Sequence, residues 1–208
     1  YNLVKKPRTS CNCQEVRGFC TTECDTLRLQ LGNEVTFAML FVYECTENII
    51  AEFKKFYDTQ LSEQDKKKVF IPTYDCMKKY QGSWHVEQKP LFTNCFFIEC
   101  RDKEELKTTL SRQHCSDSLT EVVMSGITPL RPEQEEFLKA LMQPDTKTIS
   151  MSTGYIKDGT THVTQGPLQG REKFIRRIDR HKRLAWLVLP AGDGQQELRT
   201  GLEIVSKN

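Results

Sequence analysis

The middle of the chain carries hydrophobic patterns typical of both strands and helices. Residues 35–43 are rich in β-branched and aromatic side chains, which predicts a short buried strand. Thr46 is then well placed to cap a helix in which apolar residues recur at helical spacing: Ile49, Ile50, Phe53, Phe56 and Tyr57. Charged residues occupy the positions between them, so we expect an amphipathic helix with one face in a core.

Further elements are predicted after this helix. Short apolar runs indicate strands at residues 69–71, 95–98 and 121–124, and a hairpin at 78–88 with its tip at residues 81–83. Two more helices are predicted by their N-terminal signals: Asp102 with Glu105 in a capping-box pattern, and Pro132 at a first helical position. The order β-α-β-β-β-α-β-α predicts an α+β sandwich over residues 34–142.

The end of the chain has a different pattern. Residues 143–152 are polar and lack apolar periodicity, which predicts a linker. Residues 153–208 then contain only short strand patterns, with a turn rich in Gly and Pro at residues 166–170. About five strands in so short a segment predict a small barrel, because a closed barrel exposes no sheet edge.

Charge divides the chain in the same place. The 208 residues carry a net charge of only +2, which taken alone argues against a nucleic-acid-binding protein. Residues 34–142, however, hold 14 basic and 18 acidic residues, whereas residues 151–208 hold 10 basic and 6 acidic ones. Residues 171–183 alone hold seven basic residues and two acidic ones. Opposite signs in the two halves indicate two partners, one of them a polyanion.

Sequence strings in both halves resemble the NusG family. Residues 159–170, the string Ile-Asp-Arg-His-Lys-Arg at 178–183 and Leu-Glu-Ile-Val at 202–205 resemble its KOW domain. Upstream, Ile-Pro-Thr at 71–73 and Lys-Pro-Leu-Phe at 89–92, followed by a Phe-Phe-Ile strand, resemble the NGN domain that precedes KOW. The two resemblances run in collinear order over residues 34–208 and are most similar to the LoaP-type specialised paralogues.

The resemblance implies an NGN-type α/β sandwich at 34–142 and, after the linker at 143–152, a five-stranded SH3-like barrel at 153–208, the KOW domain. It implies a bacterial, cytoplasmic and monomeric factor of transcription elongation and processive antitermination, with no membrane partner. In the family, the NGN domain binds the clamp helices of RNA polymerase through an apolar concavity. The KOW domain of LoaP-type members binds a structured hairpin in the nascent leader RNA.

The predicted polymerase contact rests on three apolar residues. By position, the resemblance implies that Phe37, Leu91 and Phe92 contact the clamp helices. Aromatic residues in strands are, however, mostly core residues, so Phe37 and Phe92 equally fit a hydrophobic core. The same alternative applies to Phe96 and, most simply, to Trp186 in the last segment.

The predicted RNA contact is the basic segment, residues 171–183. A run of charges usually forms a solvated face, but cations also neutralise phosphates, and Arg can read the edge of a guanine. The candidate residues are Arg171, Lys173, Arg176, Arg177, Arg180, His181, Lys182 and Arg183. We expect the arginines at 176, 177, 180 and 183 to give specificity, because lysines act as point charges.

The first 33 residues lie outside the resemblance, and their role is open. They contain Cys11, Cys13, Cys20 and Cys24, and four thiolates this close in sequence can bind Zn²⁺ or an iron–sulfur cluster. Their spacing differs from a double CxxC motif, so a reduced Cys-rich tail is the alternative, and a disulfide pair a further one. The implied function requires no cofactor. The other five cysteines are expected to be buried free thiols: Cys45, Cys76, Cys95, Cys100 and Cys115.

The sequence does not favour an enzyme. It contains no Gly-rich phosphate loop and no nucleophile elbow, and its four histidines have no recognisable ligand spacing. His114 precedes Cys115 directly, but adjacency in sequence does not aim a base at a thiol. Two other functions stay open: a ribosome-associated KOW protein, and a general elongation factor without RNA specificity.

Overall fold

The fold is α+β, as the hydrophobic pattern predicts. A computed structural model of the chain describes residues 38–44, 46–66, 68–112, 116–191 and 197–207. The helices in this part are α1 (Glu47–Thr59), α2 (Glu63–Lys66), α3 (Lys103–Arg112), α4 (Asp117–Gly126) and α5 (Pro132–Leu141). The strands of the N-terminal half are β1 (Met39–Glu44), β2 (Val69–Phe70), β3 (Thr73–Tyr80), β4 (Ser83–Pro90), β5 (Cys95–Cys100) and β6 (Ile127–Pro129). Those of the C-terminal half are β7 (Thr148–Ile149), β8 (Ser152–Lys157), β9 (Thr160–Gln165), β10 (Ile175–Asp179), β11 (Leu184–Val188) and β12 (Glu197–Lys207).

A four-stranded sheet in the order β2-β5-β1-β6 forms the centre of the N-terminal half. Its two central strands are apolar over residues 39–43 and 95–98, because both faces of the sheet are buried there. Phe41 and Phe96 face one core together with α1, α3 and α4, whereas Leu40 and Phe97 face a second core on the other side. The central strands therefore serve two cores at once.

The helices begin largely where the sequence signals place them. Asp102 accepts a hydrogen bond from the backbone N–H of Glu105 at 2.8 Å, so the predicted cap of α3 is confirmed. The predicted strand at residues 121–124 is wrong, since these residues lie in α4. Ser116 caps α4 by accepting a hydrogen bond from the N–H of Leu119 at 3.3 Å, and within the apolar run Val123 faces the core whereas Val122 is exposed.

A second sheet joins the predicted hairpin to the segment after α5. Strands β3 and β4 pair antiparallel through all eight of their residues, which confirms the hairpin. Strand β7 lies within the predicted linker and pairs parallel with β3, where the hydroxyls of Thr73 and Thr148 are 2.8 Å apart. Both residues of β7 are buried, so this part of the 143–152 segment packs against the N-terminal half.

The C-terminal half forms a five-stranded sheet in the order β10-β11-β12-β8-β9. The number of strands agrees with the prediction, but the described residues form no closed barrel, which corrects that part of the predicted fold. Closure would require β9 to pair with β10. The backbone N–H of Val163 in β9 instead donates to Oε1 of Glu172, in a short 3₁₀ helix (Glu172–Phe174) before β10. This helix takes the place of a ladder between the two edge strands.

The two halves share one hydrophobic core. The cluster that contains Leu40 and Phe97 also contains Leu187 and Leu202 of the C-terminal sheet. Strand β12 passes so close to β3 that a Cβ at Gly201 would overlap the carbonyl oxygen of Asp75 and the sulfur of Met151. Only a glycine allows this approach of two backbones.

Candidate nucleic-acid interface

The basic segment, residues 171–183, includes the 3₁₀ helix, strand β10 and the turn into β11. The structure gives its eight candidate residues different surroundings. Arg171 is half-buried, and its Nη1 donates to the carbonyl oxygen of Pro167 at 3.1 Å. Arg171 therefore braces the turn before the 3₁₀ helix. The exposed candidates are Lys173, Arg176, Arg177, Arg180, His181 and Lys182.

An irregularity in β10 exposes two consecutive arginines. Ile175 pairs with Leu187, whereas Arg177 pairs with Trp186, so the register shifts between residues 175 and 177. In a regular strand, neighbouring side chains point to opposite faces, and one of the two arginines would point inwards. The extra residue of a β-bulge changes that alternation, and both Arg176 and Arg177 are exposed here.

These two arginines are oriented by specific neighbours. The guanidinium of Arg177 lies 3.9 Å from the centre of the Trp186 ring, a cation–π contact, while the Arg177 side chain stays exposed. Arg176 Nη1 is 3.3 Å from Oε1 of Glu197 on β12. Because both partners are on the C-terminal sheet, the arginines project from a fixed surface.

A groove of about 530 Å³ lies between the two sheet edges that do not pair. The start of β9, with Thr160 and Thr161, lines one side, and Lys173, Arg176 and Arg177 line the other. The one carboxylate in this lining is Glu172, and it already accepts the N–H of Val163. Burial opposes its ionisation, but backbone N–H groups outweigh this effect and hold the pKa of Glu172 below its usual value. The groove thus presents hydroxyls and three cations.

The turn after β10 forms a second group of exposed cations. Asp179 accepts the backbone N–H of Lys182 at 3.0 Å, and this hydrogen bond lowers the pKa of the Asp179 carboxyl. The capped turn holds Arg180, His181 and Lys182 outwards. Arg183 turns back instead, with Nη1 3.2 Å from Oε1 of Glu203 and its guanidinium 4.1 Å from the centre of the Trp84 ring. Its side chain is only 22% exposed, so Arg183 connects the two halves.

Two of the three predicted polymerase residues are not exposed. Leu91 and Phe92 are 8% and 4% exposed, and both belong to the core shared by the two halves. The ring of Phe92 stacks with Phe97 at a centroid distance of 5.4 Å. Phe37 lies outside the described residues. Leu91 and Phe92 therefore lie in the core that the N-terminal half shares with the C-terminal half.

Sequence reasoning missed the aromatic residues of the β3–β4 hairpin. Tyr80 and Trp84 are 45% and 36% exposed, although large aromatic side chains are usually more buried. Trp84 contacts Arg183, and Tyr80 stacks on His85 at a centroid distance of 3.8 Å. Alternation in β4 could have identified Trp84, because Trp84 and Val86 alternate with the polar Ser83, His85 and Glu87 in a short two-stranded ribbon.

The cysteine predictions divide into two groups. Cys76, Cys95 and Cys100 are buried free thiols, as expected, and burial raises the pKa of Cys100 to about 12. Such a thiol stays protonated and is a poor nucleophile and metal ligand. Cys11, Cys13, Cys20 and Cys24 lie outside the described residues, as do Cys45 and Cys115, so the metal site stays a prediction. Among the described residues, no group of three His, Cys, Asp or Glu side chains could hold a metal ion.

Comparison with known proteins leaves the family open: no protein-family model matches the chain, and no curated protein matches it. In the part of the chain that the structure describes, no helix is long and apolar enough to cross a membrane.

Proposed function

We propose that this protein is a NusG-type transcription elongation factor that acts in antitermination in the bacterial cytoplasm. Its N-terminal half would bind RNA polymerase, and its C-terminal half a structured hairpin in the nascent RNA. The observation that carries the RNA part is the bulge in β10, which exposes Arg176 and Arg177 in the groove that they line together with Lys173. Residues 34–142 would form the NGN unit and residues 153–208 the KOW unit, in a monomer that needs no cofactor.

The cation groove suits a phosphate backbone. Each Lys or Arg that neutralises a phosphate releases counterions, which favours binding at low salt. Its threonine hydroxyls can donate hydrogen bonds to phosphate or ribose oxygens. The turn with Arg180 and Lys182 adds cations at the far end of β10, so a hairpin stem could contact both groups.

The polymerase contact is proposed on the face of the N-terminal half that carries Leu91 and Phe92. Because the C-terminal half shares a core with this face, the contact requires the two halves to separate when the factor binds the clamp helices. Two linked contacts, each weak alone, would then hold the factor on polymerase through effective concentration.

RNA binding is tested with the double variant Arg176→Ala/Arg177→Ala and the leader RNA of the operon that encodes the protein. We expect the affinity to fall and the slope of log K against log salt to decrease by about 2, because two phosphate contacts are lost. The charge-matched control is Lys54→Ala/Lys55→Ala on the exposed face of α1, which should bind like the parent. Equal binding by all three proteins would mean that the basic segment is only a solvated surface.

Transcription by purified bacterial polymerase across an intrinsic terminator tests the function itself. Readthrough that depends on the leader supports the antiterminator. Readthrough without the leader supports a general elongation factor. No effect on transcription, together with binding to ribosomes, supports a ribosome-associated KOW protein.

A further inference from the structure

The β3–β4 hairpin ends in a well-defined exposed ribbon. Its two-residue turn, Gln81–Gly82, has φ values of +50° and +78°, as in the turns that match the twist of paired strands. Three of the five large hydrophobic side chains that are exposed in the described residues lie on this ribbon: Tyr80, Trp84 and Val86. Such a concentration on one short element indicates an interaction surface.

The two aromatic rings lie on opposite faces of the ribbon, and each has cationic neighbours. Trp84 is the cross-strand partner of Lys79 and has Arg183 over its ring. Tyr80 stacks on His85, whose cross-strand partner is Lys78. Aromatic rings flanked by cations suit unpaired nucleotides, because a base stacks on the ring while its phosphate pairs with the cation.

Three acidic residues close to the tip of the ribbon or to Arg183 in sequence or by contact are already paired. Oε1 of Glu87 is 3.1 Å from Lys78 Nζ, and Glu203 pairs with Arg183. Asp179 pairs with Lys182, although only at 3.9 Å. The exposed Lys79 and Arg180 add positive charge to this region, which therefore favours an anionic partner, and the two exposed aromatic rings favour one with bases that can stack on them.

Arg183 places the ribbon beside the basic segment. It follows the turn that carries Arg180 and Lys182, and its guanidinium packs on Trp84. A nucleic acid bound along the turn would therefore reach the ribbon without leaving the protein surface.

We propose that the tip of the β3–β4 hairpin is a stacking site for unpaired bases of the same RNA that the basic segment binds. The RNA contact then spans both halves: the basic segment holds phosphates of the stem, and Tyr80 and Trp84 hold bases of the loop. This inference rests on the proposed RNA-binding function and extends it to the N-terminal half.

The test compares two RNA probes on the full chain. One is a short stem closed by a long unpaired loop that contains a fluorescent aminopurine base, and the other is the same stem closed by a compact tetraloop. We expect Tyr80→Ala to weaken binding of the long-loop probe by about tenfold and to abolish the change in aminopurine fluorescence. Binding of the tetraloop probe should stay unchanged. Trp84→Leu should act in the same direction.

Matched variants separate base stacking from a general apolar contact. Tyr80→Phe keeps the ring and should bind both probes like the parent, and Val86→Ala removes exposed apolar surface without removing a ring. If Tyr80→Ala binds both probes like the parent while Arg176→Ala/Arg177→Ala binds them more weakly, the proposed stacking site is wrong and the proposed function stands. If Val86→Ala weakens binding as much as Tyr80→Ala, the ribbon is a general apolar docking surface and the inference is overturned. Failure of the parent to bind either probe would contradict the stacking site, and failure to bind the leader RNA as well would contradict the proposed function.

Discussion

Glu105 fixes the start of α3 through contacts with two other segments. Its Oε2 accepts the backbone N–H of Arg101 at 2.9 Å, and its Oε1 is 3.0 Å from Nζ of Lys68. The Arg101 N–H, followed by the Lys68 ammonium, lowers the pKa of Glu105 to about 2. The ionised carboxylate therefore stabilises the folded state, and its contribution is present above pH about 4.5 and lost as the pH falls towards 2.

We predict that Glu105→Gln destabilises the protein by about 1–2 kcal/mol near neutral pH, a value that allows for partial solvent screening. The amide can still accept one hydrogen bond, but it has no charge to pair with Lys68. Urea unfolding at about pH 6 and about pH 3 checks this, because the difference from the parent should shrink at the lower pH. A difference that is the same at both pH values would show that the loss is steric rather than electrostatic.

Residues whose role depends on near neighbours could be predicted from the sequence. Asp102 and Glu105 are three positions apart, and their capping contact follows from that spacing. Trp84 and Arg183 are far apart in sequence, and nothing in either local pattern indicates that they meet. Arg183 is also less exposed than the neighbouring arginines because it contacts residues that are distant in sequence. Its local sequence therefore could not show that its side chain is largely buried.

At the scale of elements, N-caps and turns predicted the type of element better than runs of apolar residues did. The apolar run at 121–124 fits either a strand or a helix, and the N-cap at Ser116 identifies the helix. The β3–β4 hairpin, in contrast, is defined by its turn. The prediction of a closed barrel was wrong, because closure depends on pairing between β9 and β10, which a local sequence pattern does not specify.

The hairpin turn allows a prediction about this element. Gly82 has φ +78° and no atom within 4 Å of the position a Cβ would take, so Gly82→Ala meets only the strain of a left-handed backbone. We expect a loss of about 1–2 kcal/mol in the stability of the turn. Gln81→Asn should be neutral or stabilising, since Asn-Gly is favoured in this type of turn. Hydrogen exchange of the β3 and β4 amides measures both effects, and equal protection in the two variants would contradict the turn assignment.

At the scale of the whole molecule, the opposite charges of the two halves could be read from the sequence, but their contact could not. Helix α5 packs against the C-terminal half: Arg131 Nη1 donates to the carbonyl oxygen of Ala191, and the rings of Phe137 and Phe174 are 4.6 Å apart.

Two fully buried polar side chains, one in each half, have no hydrogen-bond partner in the part of the chain that the structure describes. Gln134 of α5 lies between Arg131 and Phe137 in sequence and is fully buried, and both its amide atoms lack a hydrogen-bond partner among the described residues. Thr200 on β12 is also fully buried, and its hydroxyl has no partner there either. Burying such groups costs free energy, which lowers the cost of separating the halves.

This contact leads to a prediction in which a substitution stabilises the protein. Gln134→Met keeps the length of the side chain and removes two polar atoms, so we expect the free energy of unfolding to rise by about 1 kcal/mol or more. Gln64→Met, at an exposed position of α2, is the control and should change stability by less than about 0.5 kcal/mol. If separation of the halves exposes the polymerase-binding face, Gln134→Met should also bind polymerase more weakly than the parent, because the closed form is favoured. Thermal unfolding and a polymerase pull-down measure the two effects. Destabilisation by Gln134→Met would contradict this prediction. It would show that the Gln134 amide makes a hydrogen bond that the methionine cannot replace.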